Sequence, residues 1–250
     1  MTNDQKKAEK TQLIVIFILL ALLLIFVFGF GLIEDQLYAT VANGFVQQGH
    51  YNLPKLTLEF LEVALAACFI AIPFGFFLGL FCFSEIGSSF KIVIDKGATI
   101  LNTVPTMAVM ALFTMAVGFG KFPTIIALVI QSILPLIFAT VSGISSVPPQ
   151  YLENARGMGM TPGQILWKVQ VPMAMPVLLS GFKTSLILCI SAATLAYNTG
   201  GGGLGRLISA GYTTYNNLLV FEGTVPICLI ALLADALVKY AELKLNRIKS

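Results

Sequence analysis

Histidine and tryptophan occur once each in this chain, and only 11% of its 250 residues are charged. Soluble domains carry about 25% charged residues, so a soluble fold could not cover its surface here. His50 is the sole histidine and lies outside the apolar runs, which leaves no Ser–His pair and no histidine-rich metal set within them. Asp235, the acid inside the last apolar run, has no acidic neighbour, so a membrane-embedded hydrolase or transferase is a poor reading. The cysteines Cys68, Cys82, Cys189 and Cys228 show no C-x-x-C spacing and fall inside or at the ends of apolar runs. They read as small apolar packing residues. No G-x-x-x-x-G-K-[ST] run is present, which excludes ATP binding by that route. The basic residues flank apolar stretches and form no patch, which argues against nucleic acid as a partner.

What the chain has in abundance is apolar length. It is 57% hydrophobic, with a mean hydropathy of +0.88. Residues 13–33, 63–83, 97–120, 122–152 and 184–205 contain no charge. A further run, 223–238, is broken only by Asp235. A helix needs roughly 20 apolar residues to span the hydrocarbon layer. Lipid offers no partner to backbone groups, so spanning segments are helices or closed barrels. Barrel strands alternate with period two, and these runs do not. The expectation is an all-α integral membrane protein with six transmembrane helices. The first run exceeds the apolar core of a signal peptide and lacks a small-x-small cleavage site, so it reads as an uncleaved span.

The basic residues orient the chain. Of its 15 lysines and arginines, all but Lys55, Lys121 and Arg206 fall on one side if the spans alternate. The positive-inside rule makes that side the cytoplasm and places both termini there. The resulting order is a cytoplasmic tail 1–12, a first span 13–33, an outer loop 34–56, a core 57–242 and a tail 243–250. The turn 118–121 is tight and pairs spans three and four.

The cytoplasmic loop 144–175 is amphipathic and heavily punctuated. Ser146-Val-Pro-Pro149 reads as a helix start, with Ser146 as cap and Pro149 in the first turn. A short helix over 149–156 is expected, broken by positive φ at Gly157 and Gly159. Thr161-Pro162 caps a second short helix over 163–169, which Pro172 ends. Span five then begins near Pro176.

This loop resembles the permease subunits of type I ABC importers. Their signature is E-A-A, three residues, G, nine residues, then I-x-L-P. Here Glu153-Asn154-Ala155 precedes Gly159 by that interval, and nine further residues lead to Val169-Gln170-Val171-Pro172. Asn154 and the two valines are mild departures. The run from Glu153 through Arg156 to Met160 is similar to the osmoprotectant branch, which imports glycine betaine, choline, carnitine or proline. Asn102-Thr-Val-Pro105, Gly118-Phe-Gly120, the glycine-rich 200–205 and Gly223-Thr-Val-Pro226 share that likeness. It covers about residues 57–242. A methionine or other amino-acid permease is the runner-up, since its glycine-rich segment looks alike. An ion-coupled secondary transporter is a further alternative, which would show internal repeats; none is evident.

The resemblance implies a type I permease fold, with a five-helix core plus an N-terminal span, in the bacterial cytoplasmic (inner) membrane. It also implies partners: a second permease copy or homologous permease, two ABC ATPase subunits, and a periplasmic or tethered substrate-binding protein. ATP and Mg are then used by the ATPases, and this chain binds no cofactor and catalyses nothing. Tyr151, Leu152, Glu153, Ala155, Arg156, Gly157, Met158, Gly159 and Met160 form the expected ATPase-coupling surface. Tyr151, Leu152, Met158 and Met160 supply apolar anchors, and Glu153 and Arg156 a charged rim.

Several residues carry two readings. The polar Asn102, Thr103, Ser191 and Thr194 either line a pathway or bond between helices, and Tyr197 and Asn198 either contact substrate or do not. The glycine-rich segment 200–205 is a flexible turn or an outer gate. Asp235 is a functional acid or the i, i+4 partner of Lys239. Glu59 and Glu62 read as a solvated interfacial face rather than a cation lure. Lys183 snorkels, and Pro73, Pro105, Pro135 and Pro226 are expected to kink their spans.

Overall fold

Backbone N–H and C=O groups in an apolar chain are satisfied most completely by helices, and helices are what the computed structural model contains. It describes residues 3–41, 51–83 and 104–249, and among them every regular element is helical. In chain order these are α1 (Asn3–Val41), α2 (Leu53–Phe81), α3 (Thr106–Val117), α4 (Lys121–Ser145), α5 (Pro149–Gly157), α6 (Pro162–Ile165), a π-helical turn (Leu166–Gln170), α7 (Val171–Ala193), a 3₁₀ turn (Ala196–Thr199), α8 (Gly205–Thr213) and α9 (Asn217–Lys249).

Among the described residues, five stretches are long and apolar enough to cross a membrane: Lys7–Gly31, Leu53–Phe81, Lys121–Ser145, Pro162–Ala193 and Asn217–Leu245. The shorter apolar α3 is the described part of the expected third span, whose residues 97–103 lie outside the described residues.

Element ends differ from the sequence reading in instructive ways. Helix α1 runs through Glu34 and Asp35 to Val41, because no Gly or Pro interrupts it after Gly31. Helix α2 begins four residues before Thr57, at Leu53. There the Asn52 side chain accepts the Lys55 N–H at 3.0 Å, an N-cap that satisfies an orphan donor. Pro73, Pro135, Pro176 and Pro226 lie inside helices that continue through them. Pro105 instead stands directly before α3 and starts it.

Contacts divide the chain into two units. The first takes Met1–Ala67, Thr106–Leu128 and Ile187–Ser250. In it α1 packs along α9, with the Phe26 and Phe221 rings edge-on at 5.9 Å. Helix α9 in turn lies against α8. Its inward stripe includes Leu219, Glu222, Ile227, Ile230, Ala234 and Val238, spaced as one helical face demands.

The second unit takes Cys68–Pro105 and Val129–Leu186. Its core is Leu80, Ile144, Ala174 and Leu178, flanked by Phe76, Leu166, Val171 and Met175. A second cluster joins Cys82, Ile137 and Val141. The Ser185 hydroxyl donates to the Ser132 carbonyl across this unit. Cys68, Cys82 and Cys189 are buried thiols and Cys228 is an exposed one, in keeping with a packing role. The large apolar side chain of Phe69 stands 83% exposed, as a residue facing lipid or a partner would.

Candidate functional site

The loop 144–175 is built as a capped helical hairpin. Helix α5 starts at Pro149 with Pro148 as N-cap and no side-chain cap. Ser146, expected as the cap, instead donates its hydroxyl to the Gly143 carbonyl at 2.7 Å. Two successive prolines hold the entry, and a missing N–H costs nothing at the first helical position.

The exit of α5 is a Schellman motif. The Gly159 N–H reaches the Arg156 carbonyl at 2.9 Å and the Met160 N–H reaches the Ala155 carbonyl at 3.1 Å. Gly159 takes φ +76°, the left-handed position that glycine fills at least cost. Gly157, also expected at positive φ, is the last helical residue. The breaker is Gly159 alone, because one left-handed residue suffices to reverse the chain.

Thr161 then forms a capping box. Its own N–H donates to Gln164 Oε1 at 3.0 Å, and its hydroxyl accepts from the Gln164 N–H at 3.4 Å. The expected stop at Pro172 does not occur. The π turn shifts the bonding ladder, with the Val171 N–H on the Leu166 carbonyl. Pro172 thereby becomes the second residue of α7, where its ring meets no continuing α-ladder. The result is one helical rod of 32 residues, Pro162–Ala193.

Burial sorts the coupling residues. Ala155 is buried at 1% exposure, which explains a small residue there. Tyr151 and Met158 point outward, at 51% and 73% exposed, and Glu153, Arg156, Gly157 and Gly159 are also exposed. Leu152 and Met160 do not act as outward anchors. They are half-buried and line a groove of about 600 Å³ with Leu80, Phe83 and Leu166. A third outward-facing apolar side chain is Trp167, 52% exposed, its ring 6.3 Å from Phe76. The sequence reading missed it, although an isolated indole beside a span is itself an interfacial signal.

The other candidate residues collect near the glycine-rich segment 200–205. Asn102 and Thr103 lie outside the described residues. The Thr194 hydroxyl is turned back to the Ser191 carbonyl at 2.6 Å, while Ser191 is exposed and Tyr197 half-buried. The Asn198 amide donates to the Leu195 carbonyl at 3.3 Å and approaches Met107 Sδ at 3.5 Å. Asn198 and Thr199 line a cavity of about 260 Å³ against α3.

The glycine-rich segment is a packed knot rather than a flexible turn. The Gly120 N–H donates to the Thr199 carbonyl at 2.7 Å. The hydroxyls of Thr124 and Thr199, both buried, lie 2.6 Å apart. Gly203 takes φ +89°, and a Cβ there would stand 3.1 Å from the Phe60 Cα, so only glycine fits.

Glu59 and Glu62 belong to this knot, not to a merely solvated face. Glu59 Oε2 accepts the Gly203 N–H at 3.2 Å, and Glu62 pairs with Lys121 at 2.6 Å. Both are tertiary contacts, invisible in local spacing. Asp235 is half-buried on α9 and Lys239 exposed. Glu222, a carboxylate at 1% exposure on α9, was not singled out by the sequence reading. Among the described residues no three metal-ligating side chains cluster.

Residues 71–247 match the family of binding-protein-dependent transport system inner membrane components. The chain belongs to this family. As a member of it, the chain is an inner-membrane transport component, and its apolar helices make it multi-pass. It is similar to the choline transport system permease protein of Bacillus subtilis (strain 168), with 36% identity over 81% of this chain and 92% of the relative. It is also similar to the carnitine transport permease protein of Listeria monocytogenes, with 33% identity over 76% of this chain and 87% of that one. Among solved structures, the inward-facing MetNI methionine ABC transporter superposes with a TM-score of 0.65, covering 78% of this chain and 93% of that one at 21% identity. At that identity the likeness concerns the fold. The family match leaves α1 and the first part of α2 outside it.

Proposed function

We propose that this family member is the permease subunit of an ABC importer for a small osmoprotectant, foremost a quaternary-ammonium solute such as choline, glycine betaine or carnitine, with the secondary amine proline as the other candidate. The observation that carries the coupling role is the Schellman turn at Gly159, which holds Tyr151 and Met158 outward beside Glu153 and Arg156. Two ATPase subunits, using ATP and Mg, engage this loop in two permease copies, or in this chain and a homologous permease. Full burial of a large apolar side chain is worth about 1.5–3 kcal/mol, and Tyr151, Met158 and Trp167 keep roughly half or more of their surface to bury against a partner.

Motion at the loop enters the helical segment that begins at the Thr161 capping box. The chain itself catalyses nothing and holds no cofactor. Both termini lie in the cytoplasm, and a periplasmic or tethered binding protein delivers substrate on the other side. The substrates named for the relatives support the osmoprotectant reading over an amino-acid one.

The test is reconstitution of the chain with its ATPase and binding protein in proteoliposomes. ATP-dependent choline, glycine betaine or carnitine uptake is the expected result. Uptake restricted to methionine or another amino acid would replace the substrate assignment. Uptake by the chain alone on an ion gradient would remove the ABC reading.

A further inference from the structure

The cavity against α3 has a lining unlike a site for a hydrogen-bonding solute. Its wall carries the thioethers of Met107, Met110 and Met115 and the ring of Phe119, and among the described residues no charged side chain borders it. Its polar groups are few and largely engaged. The Thr114 hydroxyl donates to the Met110 carbonyl at 2.8 Å, and the Thr199 hydroxyl is shared with Thr124 and the Ala196 carbonyl. The Asn198 amide nitrogen faces Met107 and Leu195, which leaves its Oδ1 to accept.

We infer that this cavity is a transit site for a quaternary ammonium headgroup. A methylated ammonium has no N–H to satisfy and spreads its charge over methyl groups. Thioether sulfur and an aromatic face attract such a group through polarisability and the ring quadrupole. A primary ammonium brings three donors, and this lining has too few open acceptors for them. Exchanging the water around such donors for this lining is costly, so the site selects by exclusion as well as attraction. With no carboxylate among the described lining residues the hold stays weak, and a conduction site must release what it binds. The same 3₁₀ turn, Ala196–Thr199, supplies Asn198 to the cavity and Thr199 to the glycine-rich knot. Any shift of the knot therefore reshapes the cavity.

The inference rests on the osmoprotectant reading, and the experiment separates the two. The complete importer is reconstituted and choline uptake measured at equal amounts of assembled complex. Ala111→Trp fills the cavity and is expected to cut uptake by about tenfold or more. Leu112→Trp, the next residue but not a lining one, should transport like wild type. Met107→Leu combined with Met115→Leu preserves volume while removing two sulfurs, and about a threefold loss is expected. This pair decides the matter if Ala111→Trp fails to assemble. Wild-type uptake by both variants would overturn the cavity inference while leaving the osmoprotectant reading intact. Loss in Ala111→Trp with full uptake in the leucine pair would overturn ammonium recognition by the sulfurs. A wild-type importer that moves no quaternary ammonium solute would bring down both readings.

Discussion

The hydroxyl oxygens of Thr124 and Thr199 lie 2.6 Å apart in a fully buried contact. The two hydroxyls supply two protons for three contacts, since Thr124 also reaches the Gly120 carbonyl and Thr199 the Ala196 carbonyl. One hydroxyl therefore donates to the other, and the acceptor passes its own proton to a backbone carbonyl. This short relay joins the start of α4 to the 3₁₀ turn. Removing either hydroxyl breaks it, so Thr124→Val and Thr199→Val should each destabilise the protein by about 1 kcal/mol. The double variant should cost less than the sum. Thermal unfolding of the detergent-solubilised chain, run as a double-mutant cycle, measures the coupling.

Gly159 offers a test of backbone geometry free of steric confusion. Its φ is +76°, and a Cβ there would meet nothing within 4 Å. Gly159→Ala should therefore strain the turn by about 1–2 kcal/mol without a clash inside the subunit. Uptake by the assembled importer should fall while membrane insertion stays normal. Gly159→Asn, which tolerates the left-handed region better, should recover much of the loss.

Tyr215 presents the reverse case. It is a non-glycine residue at φ +54°, and it is 94% exposed. The Tyr215 N–H on the Tyr212 carbonyl and the Asn216 N–H on the Gly211 carbonyl place it at the glycine position of a second Schellman motif. Tyr215→Gly should raise stability by about 1 kcal/mol, visible as a higher melting temperature.

The two glutamates on α2 should respond differently to substitution. Glu62 and Lys121 are 61% and 42% exposed, so Glu62→Gln should cost about 0–1 kcal/mol, and less in high salt. Glu59→Ala leaves the buried Gly203 N–H without its acceptor and should cost about 1–2 kcal/mol whatever the salt. Chemical or thermal unfolding at two ionic strengths distinguishes them.

Trp167 is the chain's only tryptophan and stands half exposed beside the coupling helix. Its emission should shift to shorter wavelength when the ATPase subunits bind and bury it. A titration followed by intrinsic fluorescence, with a tryptophan-free ATPase variant, checks this.

Much of the loop 144–175 was legible in the sequence. The capping box at Thr161, proline at the first position of α5 and the left-handed Gly159 are all local chemistry, set within a few residues. The failures were also local, but they turned on competition. Ser146 had a carbonyl three residues back as well as a helix to cap, and the carbonyl won. Pro172 met a π turn that moved the ladder out of its way, and that shift has no plain sequence signature. Leu152 and Met160 are apolar like Tyr151 and Met158, and only the position of Leu80 and Phe83 decided which pair turned inward.

The sequence by itself determined that this chain is a bundle of apolar helices, because lipid leaves the backbone no other way to satisfy its polar groups. It also determined where the punctuated loop falls, because caps and left-handed glycines act over a handful of residues. Only the tertiary structure decided what each polar group on those helices touches. Thr124 meets Thr199 across 75 residues and Glu59 meets Gly203 across 144. Hydrophobic periodicity states which face of a helix is buried and says nothing of what lies opposite. The methionine-lined cavity and the glycine-rich knot exist only where those faces meet.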